Sequence, residues 1–251
     1  PGLQDRSFVK GLDQSLFAKQ AKDLYVTKGT DDSFEILFRA LYGSKASIIK
    51  PFEQTIKLLK VRGKAMRTAV PIGEGGMIAI LGVDIEKISE ILNLNKDNFK
   101  CFIANDNSIG QIVVSGKVTD LDLFSNELKN LNIKNIKLPV TAPFHCELMS
   151  YATEVMNDEI SKNDFKTPKN QIISNVTAKP TKDPNEIKNL LIQQIEKPVR
   201  WRETVINMIN SNIQKFIEIG PGKVLSGLVK RIDRNVKLIQ VNDIEDLKNL
   251  N

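Results

Sequence analysis

Apolar residues recur along this chain with two periods, and the changes of period divide it. Over residues 16–25 the spacing is helical: Leu16, Gln20 and Leu24 share one side, with Phe17, Ala21 and Tyr25 beside them. Gly29, Thr30 and Asp31 stop that helix and cap a second one over 33–42, which Gly43 closes. Ala46-Ser-Ile-Ile-Lys-Pro51 reads as a short strand ending at a proline. From Phe52 the character changes. The spacing predicts a helix over 54–68, with Ile56, Leu59, Gly63 and Met66 on one face and Leu58, Arg62, Ala65 and Ala69 in the adjoining stripe. Arg62 therefore falls at the edge of the apolar face. Pro71 and Gly73-Glu-Gly-Gly76 make a loop.

Residues 76–140 form one patterned unit. A buried strand over 77–83 leads to Asp84 as the cap of a helix carrying Ile85, Ile88, Ile91 and Leu92. Strands over 100–104 and 111–115 flank a turn, Asn105-Asp-Asn-Ser-Ile-Gly110. Thr119 and Asp122 match a capping box, opening a helix with Leu121, Phe124, Leu128 and Leu131 inward. A fourth strand covers 133–140. The order β-α-β-β-α-β is the ferredoxin-like pattern. Beyond it, helices are expected over 147–160, 185–195 and 201–210, and strands over 171–176, 215–219 and 236–241. The fold class expected is α/β: a partial α/β-hydrolase-like layer, built from 52–75 and 141–251, with the ferredoxin-like subdomain inserted.

Composition narrows the function. The chain of 251 residues is 41% hydrophobic and 26% charged, ordinary for a soluble globular protein. Its net charge of +6 suits an anionic partner. The lysines are dispersed, and no basic run is interleaved with aromatics, so no nucleic-acid partner is expected. No apolar run is long enough to span a bilayer, so no membrane partner is expected either. Cys101 and Cys146 lack CxxC spacing and read as reduced structural thiols of a cytoplasmic protein. With one histidine and two isolated cysteines, no metal site is expected.

That one histidine, His145, sits where Pro143 should hand a strand over to a helix. On composition alone, a lone histidine at a turn is unremarkable. Its flanks, Pro139-Val-Thr-Ala-Pro-Phe-His-Cys-Glu-Leu-Met149, resemble the active-site histidine segment of malonyl-CoA:acyl carrier protein transacylases. Four further segments resemble that family in the same order: Leu58-Leu-Lys-Val-Arg-Gly-Lys-Ala-Met66, Asn105-Asp-Asn-Ser-Ile-Gly-Gln111, Gln194-Ile-Glu-Lys-Pro-Val-Arg-Trp201 and Glu218-Ile-Gly-Pro-Gly-Lys-Val-Leu225. The resemblance runs from about Phe52 to the end. Residues 28–43 are instead similar to a segment of baseplate wedge proteins of contractile-tailed phages. Residues 1–51 are therefore expected to be foreign to the rest.

The resemblance implies a ping-pong transfer of malonyl from coenzyme A to the thiol of acyl carrier protein, with malonyl-CoA as substrate and no cofactor. His145 matches the general base, and Gln194 the residue that orients it through a hydrogen bond. Arg62 matches the guanidinium that pairs with the free malonyl carboxylate, and Met66 a position lining the pocket. A monomer is expected. Gly220-Pro-Gly222 could cradle a phosphate, but a strand-to-helix turn is the stronger reading. Cys146 beside His145 could suggest a thiol–histidine pair, but adjacent side chains at a helix start diverge. The family's Gly-His-Ser-Leu-Gly elbow has no counterpart: no Gly-x-Ser-x-Gly occurs anywhere in the sequence. The expected picture is a base, its orienter and a carboxylate clamp without the nucleophile, in an incomplete or chimeric copy whose α/β layer exposes apolar surface. Two other classes stay open: a non-catalytic module binding acyl carrier protein, and a phage structural protein with a fused acyltransferase fragment.

Overall fold

The computed structural model of the chain describes residues 46–243 and 245–246, with side chains from Gln54 onward. The baseplate-like segment and its two helices thus lie outside the described residues. The chain falls into two compact units, divided between Lys64 and Ala65. Helix α1, Ala46–Thr68, takes in the stretch 46–51 that its β-branched Ile48 and Ile49 suggested as a strand. No described strand pairs with that stretch, and a helix satisfies backbone groups locally where a lone strand cannot. The buried stripe of α1 also differs from the expected face. Leu59 is 40% exposed and Gly63 is exposed, whereas Ala65 is buried and Leu58, Arg62 and Ala69 are half-buried, so burial follows that adjoining stripe, with Met66 the one buried residue of the expected face.

In the second unit, β1 (Gly75–Leu81), α2 (Ile85–Leu94), β2 (Cys101–Ser108), β3 (Gln111–Lys117), α3 (Val118–Asn130) and β4 (Lys134–Lys137) follow in the expected order. The four strands form a sheet of order β2-β3-β1-β4. All three pairings are antiparallel. Period 2 in β1 explains the two-sided burial. Ile78 and Ile80 point to one face and join Ile88, Ile91, Phe99, Ile112, Val114, Leu121, Phe124 and Leu128 beneath α2 and α3. Each such side chain contributes about 1.5–3 kcal/mol of burial. Met77 and Ala79 point the other way, with Ala104 and Val113, and there Leu138, Val140 and Phe144 pack on the sheet. That second face carries the loop leading to His145.

Several expected boundaries are corrected. Strand β2 continues through Asn105-Asp-Asn-Ser108, so the hairpin turn is only Ile109-Gly110; Gly110, at φ 70°, takes the left-handed corner. Register shifts between Ile103 and Asn105 and between Asp106 and Ser108 absorb the polar run that suggested a turn. Asp84 holds the N-cap position of α2 without a side-chain bond. Thr119 lies inside α3, whose first N–H, Val118, donates to the Glu74 carbonyl at 2.8 Å, and Asp122 pairs instead with Lys137. Leu131 is 44% exposed because it lies past the last turn of α3. Strand β4 ends at Lys137 rather than 140: Leu138 N–H still donates to Met77 O at 2.9 Å, and Pro139 has no donor to continue.

The chain then makes a 3₁₀ turn, Glu147–Met149, α4 (Ser150–Ser161), and a short antiparallel pair, β5 (Ile172–Ile173) with β6 (Pro180–Thr181). The strand expected over 171–176 is only two residues long; Ser174 and Asn175 turn away to bond Ala178 and Arg200. Helix α5, Pro184–Gln193, is capped by Asp183, which accepts from Asn185 N–H at 2.8 Å. Then come α6 (Trp201–Asn210), β7 (Lys215–Ile219), α7 (Val224–Ile232) and β8 (Lys237–Val241). Strands β7 and β8 are parallel and stand alone as a pair. Parallel sheets are normally covered on both faces. Here Ile219 is 76% exposed, and Ile217, Val224 and Leu225 are also exposed. Among the described residues, no helix is long and apolar enough to cross a membrane.

Candidate active site

The loop after β4 is held from below before it reaches His145. Ala142 and Pro143 are buried. Gly75, the first residue of β1, lies flat against Pro143: a Cβ there would come within 2.2 Å of the proline Cδ. This close approach explains the glycine, and it was not singled out from sequence; the Gly-Gly pair opening an apolar strand was the available signal. Cys146 Sγ–H donates to Pro143 O at 3.1 Å, and Met149 N–H to Cys146 O at 3.0 Å, closing the loop into the 3₁₀ turn. His145 itself has φ 61°, a left-handed conformation uncommon outside glycine, which histidine adopts more often than most side chains. Such strain persists only where neighbours enforce it, and it concentrates at functional sites.

The imidazole meets the end of α5. His145 Nδ1 lies 2.9 Å from the main-chain oxygen of Gln194. A carbonyl oxygen only accepts, so Nδ1 carries the hydrogen and Nε2 the lone pair. Gln194 is the C-cap of α5, and its oxygen is among the carbonyls a helix C-terminus leaves for other partners. That end of a helix carries partial negative charge. The sequence-predicted partners are thus brought together, but the bond uses the main chain of Gln194 and not its amide. Residue type at 194 says nothing about this atom, which is why only position pointed to it.

Arg62 lies in the first unit and Met66 in the second, one turn apart on α1. Burial lowers the Arg62 pKa from its ordinary value, yet a guanidinium stays charged. The thiols are poor nucleophiles. Burial, with Asp120 and Cys146 nearby, pushes Cys101 up to about 12, and burial also raises Cys146. An open cleft of about 470 Å³ adjoins the loop, lined by Asn93, Phe102, His145, Cys146, Glu147 and Lys197 among others. Gly220 and Gly222, at φ 133° and 100°, make the turn from β7 to α7. The N-terminus of α7 is taken by the carboxylate of Glu218, which accepts from Leu225 and Ser226 N–H at 3.1 and 2.7 Å. Among the described residues, no three groups of His, Cys, Asp or Glu are placed to share a metal ion.

The α/β unit thus holds His145 in a left-handed turn with Nδ1 against a helix-end carbonyl. The model of the acyl transferase domain matches residues 45–246, and the chain belongs to that family. It is 40% identical over 199 residues to the malonyl CoA-acyl carrier protein transacylase of Bacillus subtilis (strain 168), covering 78% of this chain and 63% of that protein. The chain thus spans less than two thirds of that relative's length. The crystal structure of malonyl CoA-acyl carrier protein transacylase from Clostridium perfringens superposes with a TM-score of 0.78 at 33% identity, over 94% of this chain and 80% of the other. A malonyl-transacylase in complex with its type II polyketide synthase acyl carrier protein superposes at 0.75 with 30% identity, over 94% and 78%. The fold is that of the α/β acyltransferases.

Proposed function

We propose that this chain belongs to the machinery of malonyl transfer from coenzyme A to the thiol of acyl carrier protein, with His145 as the base. The observation that carries this reading is the 2.9 Å contact from His145 Nδ1 to the Gln194 oxygen, inside a chain of the acyl transferase family. In the reaction, His145 Nε2 takes the proton of an attacking hydroxyl as its oxygen adds to the malonyl thioester carbonyl. The tetrahedral intermediate collapses, and the imidazolium returns the proton to the departing coenzyme A sulfur. The half-reaction to the carrier protein reverses the roles: His145 takes the thiol proton, sulfur attacks the acyl ester, and the hydroxyl is restored. The Gln194 carbonyl steadies the imidazolium in both.

Arg62 is the proposed clamp for the free malonyl carboxylate, with Met66 lining the acyl pocket. Its planar fork pairs bidentately with a carboxylate, which acetyl and longer acyl groups lack. The nucleophilic hydroxyl is not supplied by any Gly-x-Ser-x-Gly in these 251 residues. On this reading the chain binds and orients malonyl-CoA but does not by itself form the acyl-enzyme. We also read 76–140 as a ferredoxin-like subdomain inserted in an α/β-hydrolase-like layer; the strand order β2-β3-β1-β4 and the parallel β7–β8 pair support this. The partner is an acyl carrier protein, an acidic surface drawn to a chain of charge +6.

The test is equilibrium binding by calorimetry. Malonyl-CoA should bind more tightly than acetyl-CoA by about 1.5–3 kcal/mol, the worth of a charged hydrogen bond, and Arg62→Ala should erase the difference. Equal affinity for both thioesters in the unaltered chain would overturn the assignment.

A further inference from the structure

We infer that the Asp106–Arg202 ion pair is a positioning device for His145, acting through the main-chain oxygen of Gln194; this rests on reading His145 as the base. The segment between α5 and α6 is anchored at both ends. Behind it, Gln194 N–H donates to Leu190 O at 2.9 Å, and Ile195 is fully buried. Ahead of it, Val199 extends the edge of β2. Val199 N–H donates to Ala104 O at 2.8 Å, Asp106 N–H donates to Val199 O at 2.9 Å, and Asn105 and Val199 form a parallel bridge. Between the anchors, Ile195, Glu196 and Lys197 N–H turn back to Ile192 O and Gln193 O at 3.2, 3.2 and 2.9 Å, and Pro198 has no N–H to offer. The bridge to β2 fixes the far end of this short stretch, and through its closed turn the direction of the Gln194 carbonyl.

Asp106 secures that bridge twice. Its main chain bonds Val199, and its carboxylate takes Arg202 Nε–H at 3.0 and 2.8 Å, in the first turn of α6. The pair is the least exposed of the ion pairs among the described residues, with side chains 27% and 10% exposed. Burial, set against the hydrogen bond and charge of Arg202, leaves the Asp106 pKa raised. A buried pair of this kind does little for stability by itself, but losing one partner leaves a charge uncompensated at the junction. Arg202 would then pull α6 and Val199 towards solvent, and the Gln194 oxygen with them. A shift of about 1 Å in a positioning contact can cost on the order of 100-fold in rate.

His145 is the only histidine, so its ring nitrogens give unambiguous signals in a ¹⁵N spectrum of the intact chain. The unaltered chain should show the Nδ1–H tautomer. Asp106→Asn, shown folded by circular dichroism, should move the tautomer ratio towards Nε2–H by about 3- to 10-fold, the worth of one ordinary hydrogen bond. Arg202→Lys keeps the charge and should shift it less; if Asp106→Asn does not fold, Arg202→Lys carries the test, with a smaller displacement in the same direction. A folded variant whose imidazole spectrum matches the unaltered chain overturns the inference, because a merely structural pair would lower the melting temperature and leave the tautomer alone. The readout needs no turnover. Covalent malonyl label that formed in His145→Ala would sink the reading of His145 as base, while the tautomer result would still decide what Asp106 and Arg202 do.

Discussion

Gly75→Ala tests the packing that aims His145. The added Cβ would lie 2.2 Å from Pro143 Cδ, 2.9 Å from Cγ and 3.1 Å from the proline nitrogen. Carbon atoms in contact sit about 3.5–4.0 Å apart, so the overlap exceeds about 1 Å. The proline cannot turn aside, because its ring and φ are fixed. Either β1 or the loop must move. Overpacking of this kind costs about 1–3 kcal/mol. At about 2–4 °C per kcal/mol for a unit of this size, the melting temperature should fall by about 2–12 °C. His145 lies two residues beyond Pro143, at φ 61° in the same loop, so its imidazole signals should shift as well. Gly227→Ala is the control: it is exposed within α7 with nothing near its Cβ, and it should stabilise by up to about 1 kcal/mol. A Gly75→Ala chain with unchanged melting temperature and unchanged imidazole spectrum would refute the reasoning.

Other outcomes follow from the same geometry. Gln194→Ala keeps the main-chain oxygen, so the His145 tautomer should be unaltered and malonyl-CoA affinity within about twofold, because about 0.4 kcal/mol is the scale of a surface change; a collapse of the Nδ1–H signal would mean that the amide does the work. Burial pushes the Glu218 carboxyl up, but hydrogen bonds from Ser226, Leu225 and Val224 outweigh it and hold its pKa below the ordinary 4.5. Its stabilisation is therefore present above about pH 4.5 and lost as pH falls through the lower folded value. Glu218→Gln should cost about 1 kcal/mol at pH 7, as for other lost caps, and denaturation curves of the two chains should converge in acid; a gap that widened in acid would contradict this. Cys101, pushed up to about 12, and Cys146, raised by burial, should react slowly with a disulfide reagent at pH 8 in the folded chain and quickly in denaturant; a rapid burst from folded protein would sink that account.

Where local period and burial agree, the chain was legible before its structure. Trp201–Asn210 and Lys215–Ile219 fall where their spacing placed them. The six elements from Gly75 to Lys137 come in the order their periods indicated. What misled was polarity taken as punctuation. Asn105-Asp-Asn-Ser108 looks like a turn, yet it is strand, because Asp106 finds Arg202 and the bulges absorb the register. Ile48 and Ile49 looked like strand, but a strand is a statement about a distant partner. Thr119 and Asp122 spelled a capping box, but the Glu74 carbonyl and Lys137 offered other bonds. At the site, His145 and Gln194 could be paired by motif, whereas the atom that joins them could not. A main-chain oxygen has no letter in the sequence. Nor did the Gly75–Pro143 contact, which joins residues far apart in the chain, carry any local signal beyond a glycine at a strand start.

The central proposal is that His145 is the base for malonyl transfer, in a stretch of 251 residues that holds no Gly-x-Ser-x-Gly hydroxyl for it to activate. A single-turnover experiment addresses it: folded chain with radiolabelled malonyl-CoA, quenched in acid, beside His145→Ala and Arg62→Ala. The account predicts malonyl-CoA binding in the unaltered chain and no covalent label in any of the three. Stoichiometric label in the unaltered chain, lost in both variants, would show that another side chain here serves as nucleophile and would contradict it.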